Sequence, residues 1–82
     1  MFEDLIQALE SLDPTQETIG LKKLCQESGL KVGMWAERLK SRTIGHIIRK
    51  EMAPHGWTYV VAQRGRFLSF TFSRITPHGG VN

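Results

Sequence analysis

The stretch "WTYVVAQRGRFLSFTF", residues 57–72, constrains the fold of this chain more than any other. Large apolar residues recur at every second position, Trp57, Tyr59 and Val61 before the break and Leu68, Phe70 and Phe72 after it. A period of two places such residues on one side of a strand. A two-residue turn at Arg64-Gly65 sets the runs antiparallel, with Val61 facing Leu68, Tyr59 facing Phe70 and Trp57 facing Phe72. All six then share one side of the ribbon. The other side pairs Thr58 with Thr71, Val60 with Ser69 and Ala62 with Phe67, mostly small or polar residues. Slipping one strand by a single residue scrambles both faces. The expectation is a β-hairpin ending in a basic knot, Arg64-Gly65-Arg66.

Ahead of the hairpin the period changes. Phe2, Leu5, Ile6, Leu9 and Leu12 follow helical spacing and form one apolar stripe, read as core. Asp13-Pro14 stops that helix, because the residue before proline is pushed out of the helical region. Thr18 and Ile19 suit a very short strand. A second helix is expected over Leu21–Ser28, with Leu21, Leu24 and Cys25 inward, Gly29 as a left-handed cap and Leu30 folding back over the end. Cys25 reads as a small buried hydrophobe.

Residues 31–40, "KVGMWAERLK", admit a short helix or a loop. Trp35 within them is expected in the core, with exposure to a partner as the alternative. "SRTIGHIIRKEM" is a clearer helix, with Ser41 as N-cap and Ile44, Ile47, Ile48 and Met52 burying one side. Gly45 costs that helix about 1 kcal/mol relative to alanine, which close packing against a neighbour would explain. Residues 53–56 end it. Residues 76–82, with Pro77, Gly79 and Gly80, are expected to fray as a flexible tail, leaving residues 1–75 as a single domain.

Composition narrows the class. Eighty-two residues suffice for one small core, and 40% apolar with 23% charged residues describes an ordinary globular chain. One cysteine excludes an internal disulfide framework and multi-cysteine metal sites, and it suits a reducing, cytoplasmic setting. No run is long enough to span a membrane, and the acidic N-terminus lacks the pattern of an export signal. The overall charge of +3 hides an imbalance. Residues 1–30 set six acids against Lys22 and Lys23, a net of −4, whereas residues 31–82 set nine Lys and Arg against Glu37 and Glu51, a net of +7. Such a split points to an anionic partner for the second half, nucleic acid first.

The order of elements, with "LKKLCQESGL", "SRTIGHIIRKEM" and the ribbon "WTYVVAQRGRFLSFTF", resembles the winged helix-turn-helix family over roughly residues 2–74. The fold this implies is α+β: three helices, or four if residues 31–40 are helical, followed by a two-stranded antiparallel hairpin wing. Compact members join their second and third helices by a few residues; here residues 31–40 intervene. The resemblance implies DNA as partner, with the helix from Ser41 in the major groove and the wing on phosphates or the adjoining minor groove.

The residues fit that use independently. Arg42, Thr43, His46, Arg49 and Lys50 lie on or beside the face opposite the isoleucines, and Lys40 precedes them. Arginine grips guanine bidentately, and threonine serves phosphate or base. Arg64 and Arg66 flank a glycine that permits close approach to a backbone, which suits phosphate contact. Phe67 is expected to cover Ala62 and Val60 across the strand, with stacking on an unpaired base as the alternative.

Catalysis is not expected. His46, His55 and His78 show no ligand spacing, Glu37 and Glu51 read as ordinary surface pairs on helices with basic neighbours, and no cofactor or metal is implied. Small wing-ended domains appended to phage, plasmid or mobile-element helicases and primases carry a junction similar to residues 43–57. The chain is therefore expected to serve a larger replication protein and its other domains. A free-standing transcriptional regulator and a protein-binding winged helix are the alternatives.

Overall fold

The computed structural model describes residues 1–75. The expected tail at 76–82, with His78, lies outside the described residues. The elements run α1 (Glu3–Glu10), β1 (Thr18–Gly20), α2 (Leu21–Ser28), α3 (Val32–Lys40), α4 (Arg42–Met52), a 3-10 turn (Ala53–His55), β2 (Trp57–Arg64) and β3 (Phe67–Arg74). Among the described residues the fold is α+β, with four helices and a three-stranded antiparallel sheet in the order β1-β3-β2. The very short strand expected at Thr18 and Ile19 forms and joins the two-stranded hairpin as a third strand, because Thr18, Ile19 and Gly20 pair with Ser73, Phe72 and Thr71.

The apolar stripe of the first helix packs as its spacing requires. Phe2, Leu5 and Leu9 are buried, and Ile6 and Leu12 close against them. The chain then turns through Asp13, whose carboxylate accepts hydrogen bonds from the Thr15 backbone N–H at 2.9 Å and hydroxyl at 2.7 Å. α2 has the expected limits and the expected cap, with Gly29 at φ 79° and its N–H on the Cys25 carbonyl at 2.8 Å. Cys25 is buried, and burial pushes its thiol above the ordinary value.

Residues 32–40 resolve as a helix rather than a loop. Trp35 and Leu39, one turn apart, both reach the core, and the good helix formers Ala36, Glu37, Arg38 and Lys40 surround them. A single extended residue, Ser41, separates α3 from α4, and its hydroxyl accepts the Ile44 N–H at 3.1 Å as an N-cap should. On α4 the buried line is Gly45, Ile48 and Met52. Ile44 and Ile47 were expected inside with Ile48; instead they stand 38% and 41% exposed. The buried line runs through Gly45, so the helix rolls until its glycine meets the sheet and the flanking isoleucines turn away.

The hairpin forms, with its register moved by two residues from expectation. Trp57 pairs with Arg74, Tyr59 with Phe72, Val61 with Phe70 and Arg64 with Phe67, so the turn is Gly65-Arg66. The cause lies in the backbone. Gly65 has φ 60° while Arg66 does not have a positive φ, the pattern of a type II′ turn, which needs glycine at its first central position. Arg64-Gly65 would have put arginine there. A shift of two preserves every residue's face, so the inner side remains apolar. Only Trp57, Tyr59, Phe70 and Phe72 of the six paired residues are buried, however; Val61 and Leu68 are each 40% exposed. The ribbon outruns the helical layer, and residues 60–69 are all exposed.

Helices and sheet meet at Tyr59. Its hydroxyl donates to the Leu39 carbonyl at 2.8 Å, satisfying one of the acceptors left over at the end of α3. A Cβ at Gly45 would collide with that hydroxyl and lie 3.3 Å from the same carbonyl oxygen. Gly45→Ala should therefore destabilise the fold by about 1–3 kcal/mol despite alanine's better helix propensity. In a Tyr59→Phe background the same change should be neutral or stabilising, and denaturant titrations of the four variants read the coupling. Cys25 should react with a thiol reagent orders of magnitude more slowly in the native protein than in denaturant; equal rates would contradict its burial.

Candidate functional site

The nine basic side chains of the second half do not form one population. Arg38 lies 4.7 Å over the Trp35 ring, Arg49 3.9 Å over Tyr59 and Arg74 4.5 Å over Trp57. Each covers an aromatic ring that is itself buried. Arg49 also donates from Nε to the Tyr59 carbonyl at 3.3 Å, and Arg74 donates from Nε to the Gln16 carbonyl at 2.8 Å. These three guanidiniums close the core, combining cation–π attraction with aliphatic packing. Lys40 pairs with Glu37 at 3.0 Å, an exposed contact of little energetic weight.

Among the described residues, Lys31, Arg42, Lys50, Arg64 and Arg66 have neither an ion pair nor an aromatic partner, and all five are exposed. Four of them come from the expected site. Arg42 and Lys50 lie at the two ends of α4, with Thr43 and His46 exposed between them. Arg64 and Arg66 lie at the tip of the ribbon with Phe67. Arg49 shares their helix but is committed to Tyr59, which lowers its availability to a ligand.

Gly45 and Arg49 both meet Tyr59, so α4 lies alongside the base of the hairpin. The tip is five strand residues further on, about 17 Å at 3.4 Å per residue. The site residues thus fall into two groups, one on α4 and one at the end of a projecting arm.

Two residues absent from the expected set join the first group. Ile44 and Ile47 were assigned to the core by their helical spacing, and the structure leaves both exposed, Ile47 one turn from Thr43 and from Lys50. The signal that would have found them is Gly45, because a helix that packs through glycine buries the residues three and seven positions later rather than its neighbours.

The acidic half carries a separate concavity. A groove of about 540 Å³ between α1 and α2 has Asp4 and Glu27 on its walls and Ala8, Leu12, Leu24 and Leu30 among its lining residues. Among the described residues no cation lines it, so its walls have the wrong sign for an anion. Glu10 is bridged to His55 Nδ1 at 2.6 Å, fastening the end of α1 to the 3-10 turn. Among the described residues no three His, Cys, Asp or Glu side chains gather as a metal-binding group, and no helix is long and apolar enough to cross a membrane.

No protein-family model matches the chain, and no curated protein or solved structure matches it. The division of the cations makes its own prediction. Arg49→Ala should cost about 1–2 kcal/mol of stability, because it removes both a stacked guanidinium and a hydrogen bond. Arg42→Ala should stay within about 0.5 kcal/mol of the parent. Thermal denaturation of the two variants checks the contrast.

Proposed function

We propose that this chain is a nucleic-acid-binding domain of winged-helix type, in which α4 reads duplex DNA and the β2–β3 ribbon acts as the wing. The observation that carries the reading is the set of unpartnered, exposed cations on α4 and at the ribbon tip, in a chain whose other arginines close its core. Leaving cations uncompensated gains the fold nothing, whereas each one set on a phosphate releases a counterion.

The two groups suit different tasks. α4 has eleven residues, about 16 Å of helix, long enough to lie in a major groove about 12 Å wide. Its outer side offers Arg42 for guanine, Thr43 and His46 for base edges or phosphate, and Ile47 for thymine methyl groups. Base readout belongs to this group. At the tip, Gly65 carries no side chain between Arg64 and Arg66, so the turn can approach a backbone closely while both guanidiniums reach phosphate oxygens. The tip positions the domain and carries no sequence information.

The junction from Thr43 to Trp57, helix then glycine-tryptophan then basic hairpin, is similar to that of small domains appended to helicases and primases of mobile elements. We take an accessory role in a larger replication protein as the setting, with the other domains of that protein as further partners.

The test is a titration with duplex DNA at several salt concentrations. Binding should weaken with salt at a slope of about −0.9 per phosphate contacted. Arg64→Ala with Arg66→Ala should weaken binding to all sequences alike and make the slope shallower by about 1.8. Arg42→Ala should cost about 1–3 kcal/mol on the preferred sequence and much less on others. Unchanged duplex affinity in the wing double variant would remove the phosphate role.

A further inference from the structure

The chain has seven aromatic residues. Six of them, Phe2, Trp35, Trp57, Tyr59, Phe70 and Phe72, are at most 7% exposed. The seventh, Phe67, is 77% exposed. Its expected packing over Ala62 and Val60 is not realised; Val60 is itself 57% exposed. The register explains why. Phe67 opens β3 directly opposite Arg64, so its cross-strand neighbour is a long polar side chain rather than Ala62, which pairs with Ser69. A two-residue turn of fixed type holds Phe67 at the tip, with Arg64 across the strand and Arg66 next to it in sequence. The ring is therefore presented on an ordered backbone, and ordering it in advance lowers the entropy lost on binding.

The geometry points to Phe67 as a stacking platform for an unpaired base, so that the nucleic acid this domain takes is one where duplex gives way to single strand. The inference rests on the nucleic-acid reading above and names its substrate class. Every base has a π-face, so an aromatic beside cations binds single strand without needing a particular sequence. Fully paired DNA offers such a ring nothing on its phosphate surface, where Arg64 and Arg66 suffice. α4 would hold the duplex while the tip, about 17 Å beyond Tyr59, reaches the strand that has left it. An anionic membrane surface is the competing use of an aromatic among cations. It is disfavoured because, behind Phe67, the outer face of the ribbon offers only Val60 and Ala62 as apolar residues beside Ser69, Thr71 and Ser73, too little apolar area to anchor in lipid.

The experiment compares the full chain and its Phe67→Ala and Phe67→Trp variants on four probes. These are a blunt duplex, the same duplex with a single-stranded extension, the extension alone, and vesicles of anionic phospholipid. The parent should prefer the extended duplex over the blunt one by about 5- to 150-fold. Phe67→Ala should abolish that margin while keeping the melting temperature and the blunt-duplex affinity of the parent. Phe67→Trp should retain the margin. A margin that survives Phe67→Ala, or a loss of equal size on blunt and extended duplex, would overturn the stacking role and leave the duplex reading standing. Phe67-dependent binding to the extension, without any binding to blunt duplex, would keep the stacking role and overturn the duplex reading. Phe67-dependent binding to vesicles and to none of the DNAs would overturn both.

Discussion

Tyr59 is the residue through which the parts of this protein are assembled. Its hydroxyl holds the last turn of α3, its ring lies against Phe72 and beneath Arg49, and α4 approaches it through a glycine because nothing larger fits. Burial pushes its phenol above the ordinary value, with the Arg49 charge opposing. A buried hydroxyl without a partner is costly, so the orientation of α3 and α4 relative to the sheet is set by one hydrogen bond and one missing side chain. Because Tyr59 stands near the base of β2, the same contact leaves the rest of the strand without cover. The projecting ribbon is a consequence of where the helical layer ends.

The core is closed by charge as well as by hydrophobic packing. Three arginines lie over Trp35, Trp57 and Tyr59, in a chain too short to surround large aromatic rings with aliphatic side chains alone. Arg74 adds a second function by tying the Asp13–Glu17 segment to the sheet through backbone carbonyls. A total of basic residues therefore overstates the charge available to a partner. What counts for an anion is the remainder, which in the second half of the chain sits on α4, at the start of α3 and at the ribbon tip, with Lys22 and Lys23 also exposed on α2. On that remainder the nucleic-acid reading depends, and Phe67 sits within it as an apolar exception.

Local patterns carried much of this architecture. The period of two between residues 57 and 72 defined both strands and their inner face, because strand geometry ties alternation directly to side-chain direction. Ser41 and Gly29 announced the helix ends they cap, since each supplies a hydrogen-bonding group or a backbone conformation that the neighbouring residues cannot. Helix α3 was ambiguous for the opposite reason: only Trp35 and Leu39 mark its buried side, too few positions to display a period. The pairing of β1 with β3 was also out of reach, because three residues have no alternation to speak of and their partner lies fifty positions away.

The candidate site divides the same way. The cations of α4 and the basic hairpin tip are legible as residue types on predicted elements, and so is the charge asymmetry between the two halves. Which arginines are free, which isoleucines face water and whether Phe67 is covered were decided only in three dimensions. Each depends on what a second element brings to the same place: Tyr59 claims Arg49 and Gly45 from across the sheet, and rolling α4 onto its glycine exposes Ile44 and Ile47. At the turn, one glycine's positive φ moves the strand register by two and strands Phe67 opposite arginine. Alternation alone could not detect that shift, since a slip of two leaves every residue on the face its period assigns.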